Sequence, residues 1–251
     1  MSDNDTNQNG ESNQVILYSN MSPLDAQERL GFEMQSLNHT FNIIPFGMLD
    51  GEHYLKDWEG VRSLKEKVYS NIVDYLGFEG YPSESTVGFC DTSVSDLVFA
   101  TISPILSGVR VNARRDIRLR RNEEIVSVDG NTGGTVEFVM VHVMGAVERR
   151  FVLIESEKSS LGRAMQRCLL SMKDIRDKNG AGEVYGFITT GESWRMFKYD
   201  GIYWKGTRKM DVVFEGMEND KNLWLKENST LVEGMIMVLS EGAWSGARCL
   251  S

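Results

Sequence analysis

The stretch Phe151-Val-Leu-Ile-Glu-Ser-Glu-Lys158 limits what this chain can fold into more than any other. Four consecutive apolar residues, Phe151 to Ile154, read as a strand buried on both faces. The run then ends in Glu155, Ser156, Glu157 and Lys158, so a backbone fixed by a sheet delivers charge at its last residues. Side chains alternate along a strand. Glu155 and Glu157 therefore share a face with Leu153, while Ser156 and Lys158 point the other way. Two carboxylates spaced in this way make either a hard-cation site or a solvated strand end.

The same β pattern surrounds this strand. Ile125–Val128 reads as one strand, Asp129 to Gly134 as a turn cluster, and Thr135–Met144 as a second strand. Gly145 and Ala146 turn the chain back into Arg149–Lys158. Leu161, Ala164, Met165, Cys168, Leu169, Met172 and Ile175 then recur at helical spacing. They predict a helix over Ser159–Asp177, capped by Ser159 or Ser160 and ended by Asn179-Gly180. Val184–Thr189 is a short apolar strand, and Ser193–Tyr199 pairs with Ile202–Lys205 around Asp200-Gly201 as a hairpin. Met210–Phe214 adds a further strand, and residues 228–240 a last helix before an irregular end. The fold class expected is α/β, with a central mixed β-sheet flanked by helices.

Upstream the pattern is helical. Residues 1–14 are polar and predict a disordered tail, extended to residue 22 by an irregular run; residues 23–121 read as a helical elaboration before a core at 122–251. Pro23–Leu37, residues 57–76 and residues 92–107 are the helix candidates. Gly77 is a stop for the second, and Pro104 bends or ends the third. Arg110, Arg114, Arg115, Arg118, Arg120 and Arg121 then form a dense basic run. It is either a solvated segment paired with nearby acids or a strip that contacts phosphates.

Charge narrows the function classes. The formal net charge is -9, from 36 acidic and 27 basic residues, which argues against a basic coat for broad nucleic-acid binding. It leaves room for a nuclease, whose own site is acidic. Cys90, Cys168 and Cys249 lack metal-ligand spacing and read as reduced thiols of an intracellular protein, cytoplasmic or nuclear. No stretch reads as a membrane span or a signal peptide, so no membrane partner is expected.

The order β, β, β, α, β with acids at two strand positions resembles the PD-(D/E)XK nuclease superfamily over roughly residues 123–200. Gly134-Thr-Val-Glu137-Phe looks like its first acid position, and Glu155-Ser-Glu157 falls at the second. Ala164-Met-Gln166 is similar to the helix glutamine of some branches. Tyr185-Gly-Phe-Ile-Thr-Thr-Gly-Glu-Ser-Trp194 resembles the strand and tight turn that follow. The run from Phe151 to Asp200 resembles fungal members of the superfamily. The resemblance implies a restriction-endonuclease-like fold and a Mg²⁺- or Mn²⁺-dependent nuclease acting on DNA. Glu137, Glu155 and Glu157 would be the metal-site acids and Gln166 would position substrate or water. Asp96 on the preceding helix is a further acid that could reach the cleft.

The chain departs from the family at the usual lysine, where Glu157 stands and Lys158 follows one residue later. Three readings stay open. A bulge turns Lys158 inward; Glu157 serves as a third carboxylate; or the site is degenerate and the fold is a module binding protein or nucleic acid, with a fungal effector-type role as a variant. Glu137 could also be a solvent-facing residue, although Val139 and Val141 on its face argue otherwise. His142, among valines, reads as a sheet-face histidine, and His39 and His53 have no partner spacing. A salt bridge that plugs the cleft would favour the module. An intact carboxylate cluster would favour the enzyme.

Overall fold

The computed structural model describes residues 15–34, 60–82, 89–158 and 161–241. The tail at 1–14, the arm at 35–59 with His39 and His53, the Ser159–Ser160 cap and the end after residue 241 lie outside the described residues.

Strands and helices alternate much as the hydrophobic periods predict. In chain order they are β1 (Ile16–Leu17), α1 (Pro23–Leu30), α2 (Val61–Glu79), α3 (Asp91–Ala113), β2 (Ile117–Val126), β3 (Thr132–Met144) and β4 (Val147–Ser156). There follow α4 (Leu161–Asn179), β5 (Val184–Thr189), β6 (Ser193–Tyr199), β7 (Trp204–Gly206), β8 (Met210–Asp211) and α5 (Thr230–Glu241). Short helical turns fill Met217 to Asn228. The strands form one open mixed sheet. β3 runs antiparallel to β2 and β4, β4 and β5 are parallel across the α4 crossover, and β5 and β6 are antiparallel.

Each sheet face has its own apolar core. Phe138, Met140, Ile154 and Phe187 pack with Val68 and Ile72 of α2, Val98 and Ile102 of α3, and Ile236 of α5. Val139, Val141, Leu153 and Ile188 pack with Cys168, Leu169 and Met172 of α4 and with Ala26 of α1. This is the two-sided burial that the Phe151–Ile154 run demands; all four of its residues are buried. The described residues thus form an α/β fold with an open mixed sheet flanked by helices.

Several boundaries differ from the sequence expectation, each for a local reason. α2 runs through Gly77 to Glu79 and ends at Gly80, whose φ of 88° only glycine adopts at no steric cost. α3 runs through Pro104 rather than ending there. A proline leaves the carbonyl four residues back without its helical donor, and Asn71 Nδ2 of α2 approaches that Ala100 carbonyl at 3.4 Å. The basic run is divided: Arg110 ends α3, Arg114 is its cap, and Arg118 to Arg121 lie on β2. α3 over Asp91–Asn112 is long and apolar enough, by length and composition, to cross a membrane, unlike the sequence expectation. Here 56% of that window is buried inside the fold, as a core helix requires.

Candidate functional site

The register of β3 and β4 decides where the acids meet. The paired ladder of β3 and β4 ends at Phe138 and Ile154, which leaves Glu137 and Glu155 as the next residues on the two adjacent strands. Glu155 lies on the α4 side with Leu153 and Ile188, whereas Glu137 reaches Ser156 at the strand end. The end of β4 opens on a cleft of about 610 Å³, bounded by the start of α3, by β2 and by the first turns of α4. Glu137, Glu157, Asp91, Arg121, Arg163 and Arg167 are among its lining residues.

Glu155 is buried, with 3% of its surface exposed. Its Oε2 accepts from Arg167 Nε at 3.2 Å, whereas Oε1 is buried with no hydrogen-bond partner among the described residues. Burial pushes its carboxyl up to about 7. The Arg167 charge opposes that rise, while Glu137 and Glu157 add to it. Glu137 Oε2 accepts from the Ser156 backbone N–H at 3.1 Å and from Ser156 Oγ at 2.5 Å, which fixes the carboxylate at the strand end. Glu157 is held differently. Its Oε2 accepts from Arg167 Nη1 at 2.9 Å, and its Oε1 pairs with Arg163 Nη2 at 2.5 Å.

Two residues expected at the site are engaged elsewhere. Lys158 donates through Nζ to the Phe89 carbonyl and through its backbone N–H to Asp91 Oδ1 at 3.1 Å, so it ties the strand end to the start of α3. Gln166 Nε2 donates to the Met21 carbonyl at 2.8 Å and approaches that of Tyr18 at 3.4 Å, pinning the N-terminal arm onto α4. Gln166 is not among the residues lining the cleft. Asp96 lies 3.7 Å from Arg121, whose guanidinium donates to Ser95 Oγ and sits 5.0 Å from the Phe138 ring centroid. His142 lies on the sheet outside the cleft, and burial pushes its pKa down.

Arg163 and Arg167 are cleft residues that the sequence reading passed over, along with Asp91, Thr92, Ser95 and Asn122. The signal of the two arginines was present: four apart on the helix that follows the acidic strand, they share one helical face. They pair with Glu155 and Glu157 at the strand end, whereas Lys158 is engaged with Phe89 and Asp91. Arg167 is about three-quarters shielded from solvent and Arg163 mostly exposed.

Whether these residues fit a divalent ion rests on their oxygens. Among the described residues no three of His, Cys, Asp and Glu gather as one metal-binding group, and the arginines pair with Glu157. Mg²⁺ commonly takes only one or two carboxylates and keeps waters or substrate phosphate oxygens for the rest. Glu137 and the unpartnered Oε1 of Glu155, on neighbouring strand ends, are the two carboxylates such an ion would use. No family model matches the chain, and no curated protein matches it.

Proposed function

We propose that this protein is a Mg²⁺- or Mn²⁺-dependent nuclease with a restriction-endonuclease-like core, hydrolysing phosphodiester bonds in DNA. The observation that carries the reading is the buried, unpartnered Oε1 of Glu155, on the strand end next to the one that carries Glu137. A buried carboxylate oxygen without a donor is costly, and a bound cation removes the cost. Glu137 and Glu155 would hold the ion. Bound there, it would lower the pKa of a water and shield phosphate oxygens.

The remaining roles belong to the chain. Without a divalent ion, Arg121, Arg163 and Arg167 face Asp91, Glu137 and Glu157 in the cleft, with Glu155 beneath. Such a lining has no surplus positive charge for a polyanion, so tight DNA binding in the cleft depends on the ion. Arg163, exposed and at the rim, is placed to contact a phosphate. Arg167 holds Glu157 and keeps Glu155 oriented. Ser156 orients Glu137. A second reading is favoured by two observations: no three acids gather as one metal group among the described residues, and Arg167 bridges two of them. Its bridge between Glu155 and Glu157 is a plug of the kind that a degenerate binding module would carry.

One experiment separates them. The full chain is titrated with Mn²⁺ while thermal unfolding and cleavage of duplex DNA are followed, for the wild type and for Glu155→Gln. A metal-dependent rise in melting temperature with cleavage, both lost in Glu155→Gln, is expected; ion at one hundred times its Kd would stabilise by about 2.7 kcal/mol. A wild type with no Mn²⁺ shift and no cleavage would leave the module.

A further inference from the structure

A second basic site lies away from the cleft, where α3 ends and β2 begins. A pocket of about 690 Å³ is lined there by Arg110, Arg114, Arg115 and Arg118, with Asp116 and Ser107. Four arginines against one aspartate give it a local charge of +3 in a chain whose net charge is -9. Two of the arginines are held in place. Arg115 Nη1 donates to the Ser240 carbonyl at 2.6 Å, and Arg118 forms a fork on Asp116 at 3.2 and 2.8 Å. The guanidinium groups of Arg110 and Arg114 have no ion-pair partner among the described residues.

Ordinary helix chemistry explains only part of this. A cation in the last turn suits the helix dipole, which accounts for Arg110. It does not account for Arg118, which comes from the neighbouring strand, or for the backbone of Arg114. Arg114 caps α3 with φ 49° and ψ 45°, a left-handed conformation that glycine or asparagine usually supplies. A long cationic residue held there, against its backbone preference, marks a position where the side chain is wanted. The same β2 edge strand carries Arg121 of the cleft three residues beyond Arg118, roughly 10 Å along the chain and on the opposite sheet face.

We propose that this pocket binds phosphate groups, with Arg110 and Arg114 as the contacting residues and Arg115 and Arg118 as the fixed wall. Arginine forks match phosphate oxygens in pairs. The phosphate comes either from a nucleic-acid backbone running along β2 from the cleft or from a free phosphate. The first source rests on the nuclease reading and the second does not.

The test uses the full chain, the double variant Arg110→Gln/Arg114→Gln, and a control, Arg62→Gln/Lys226→Gln. The control removes the same charge at exposed sites that do not line the pocket. Binding of a 24-base-pair DNA duplex is measured by fluorescence anisotropy across salt concentrations, and binding of inorganic pyrophosphate by calorimetry. Loss of two phosphate contacts should lower the salt slope by about 1.8 and weaken DNA binding roughly thirtyfold at 0.15 M salt. The control should stay near wild type. That result supports the pocket with a nucleic-acid source. Pyrophosphate binding lost in the double variant, with DNA binding unchanged or absent, supports it with a free-phosphate source. The proposal is overturned if the double variant matches wild type on both probes, if the control loses as much, or if neither probe binds the wild type. Cleavage and the Mn²⁺ shift do not pass through Arg110 or Arg114, so failure of the cleft reading shows separately.

Discussion

Replacing Glu155 by Gln should make the apo protein more stable at alkaline pH, even as it abolishes the proposed activity. With its pKa pushed from 4.5 to about 7 by burial, Glu155 titrates very differently in the two states. Between those values the folded state holds more protons than the unfolded one, so stability is full below pH 4.5 and falls as pH rises to 7. Over the whole window 2.5 pK units amount to about 3.4 kcal/mol, of which about 2.5 kcal/mol is lost between pH 5 and pH 8. Gln imitates the neutral carboxyl and does not titrate, and its side-chain oxygen can still accept from Arg167 Nε. Glu155→Gln should therefore exceed wild type by about 0.8 kcal/mol at pH 5 and by up to about 3.3 kcal/mol at pH 8, so the gap widens by about 2.5 kcal/mol, or roughly 5–10 °C in melting temperature for a chain of this size. Thermal unfolding of both proteins in chelator at the two pH values measures this. A variant less stable than wild type by more than about 1 kcal/mol at pH 8 would refute the reasoning. The Arg167 bridge would then outweigh the burial of charge, and Glu155 would be a scaffold residue.

Three further outcomes follow from the same contacts. Lys158→Ala removes the donor to the Phe89 carbonyl; it should cost about 1 kcal/mol in urea unfolding and leave cleavage at saturating DNA unchanged, because the ammonium lies outside the acid cluster. Gln166→Ala frees the Met21 carbonyl and should lower stability by about 1–2 kcal/mol, with hydrogen exchange rising in the first twenty described residues and kcat held. Asp174→Ala leaves the Tyr18 hydroxyl and Arg29 without the buried carboxylate they both donate to, at 2.5 and 2.7 Å. A cost of about 3–5 kcal/mol by denaturant titration is expected, with loosening of the same N-terminal arm.

Much of the sheet was legible because its signals are local. Phe138, Met140 and Val139, Val141 alternate between the two cores as a period of two requires. The helical period of α4 likewise fixes which residues it buries. β2 was read too short, at Ile125–Val128, because Ile117 to Val126 is charged along most of its length. It is a strand on account of its partner, since nearly every residue pairs with β3, and its outer edge takes the charged side chains that keep exposed edges from pairing further. The roles of Lys158 and Gln166 depended on Phe89 and Met21, more than sixty residues away in the chain. No local pattern carries such contacts.

The meeting of Glu137 and Glu155 depends on a single extra residue. From the Gly145-Ala146 turn the strands pair as Met144 with Val147 and Val141 with Arg150, and continued unchanged that register would set Glu137 opposite Ile154. A slip of one residue sends a side chain to the other face, so Glu155 would then point into the core made by α2, α3 and α5. Instead the register shifts between Met140 and Val141. Met140 faces Val152, Phe151 is left as the additional residue of β4, and the later positions all move by one. Counting residues on either side of the turn gives eight from Glu137 and nine to Glu155, and that mismatch is the bulge. The bulge that the missing lysine suggested at the end of β4 thus lies within the strand. It turns Glu155 toward α4, where Arg167 pairs with it, while Lys158 is tied to the start of α3.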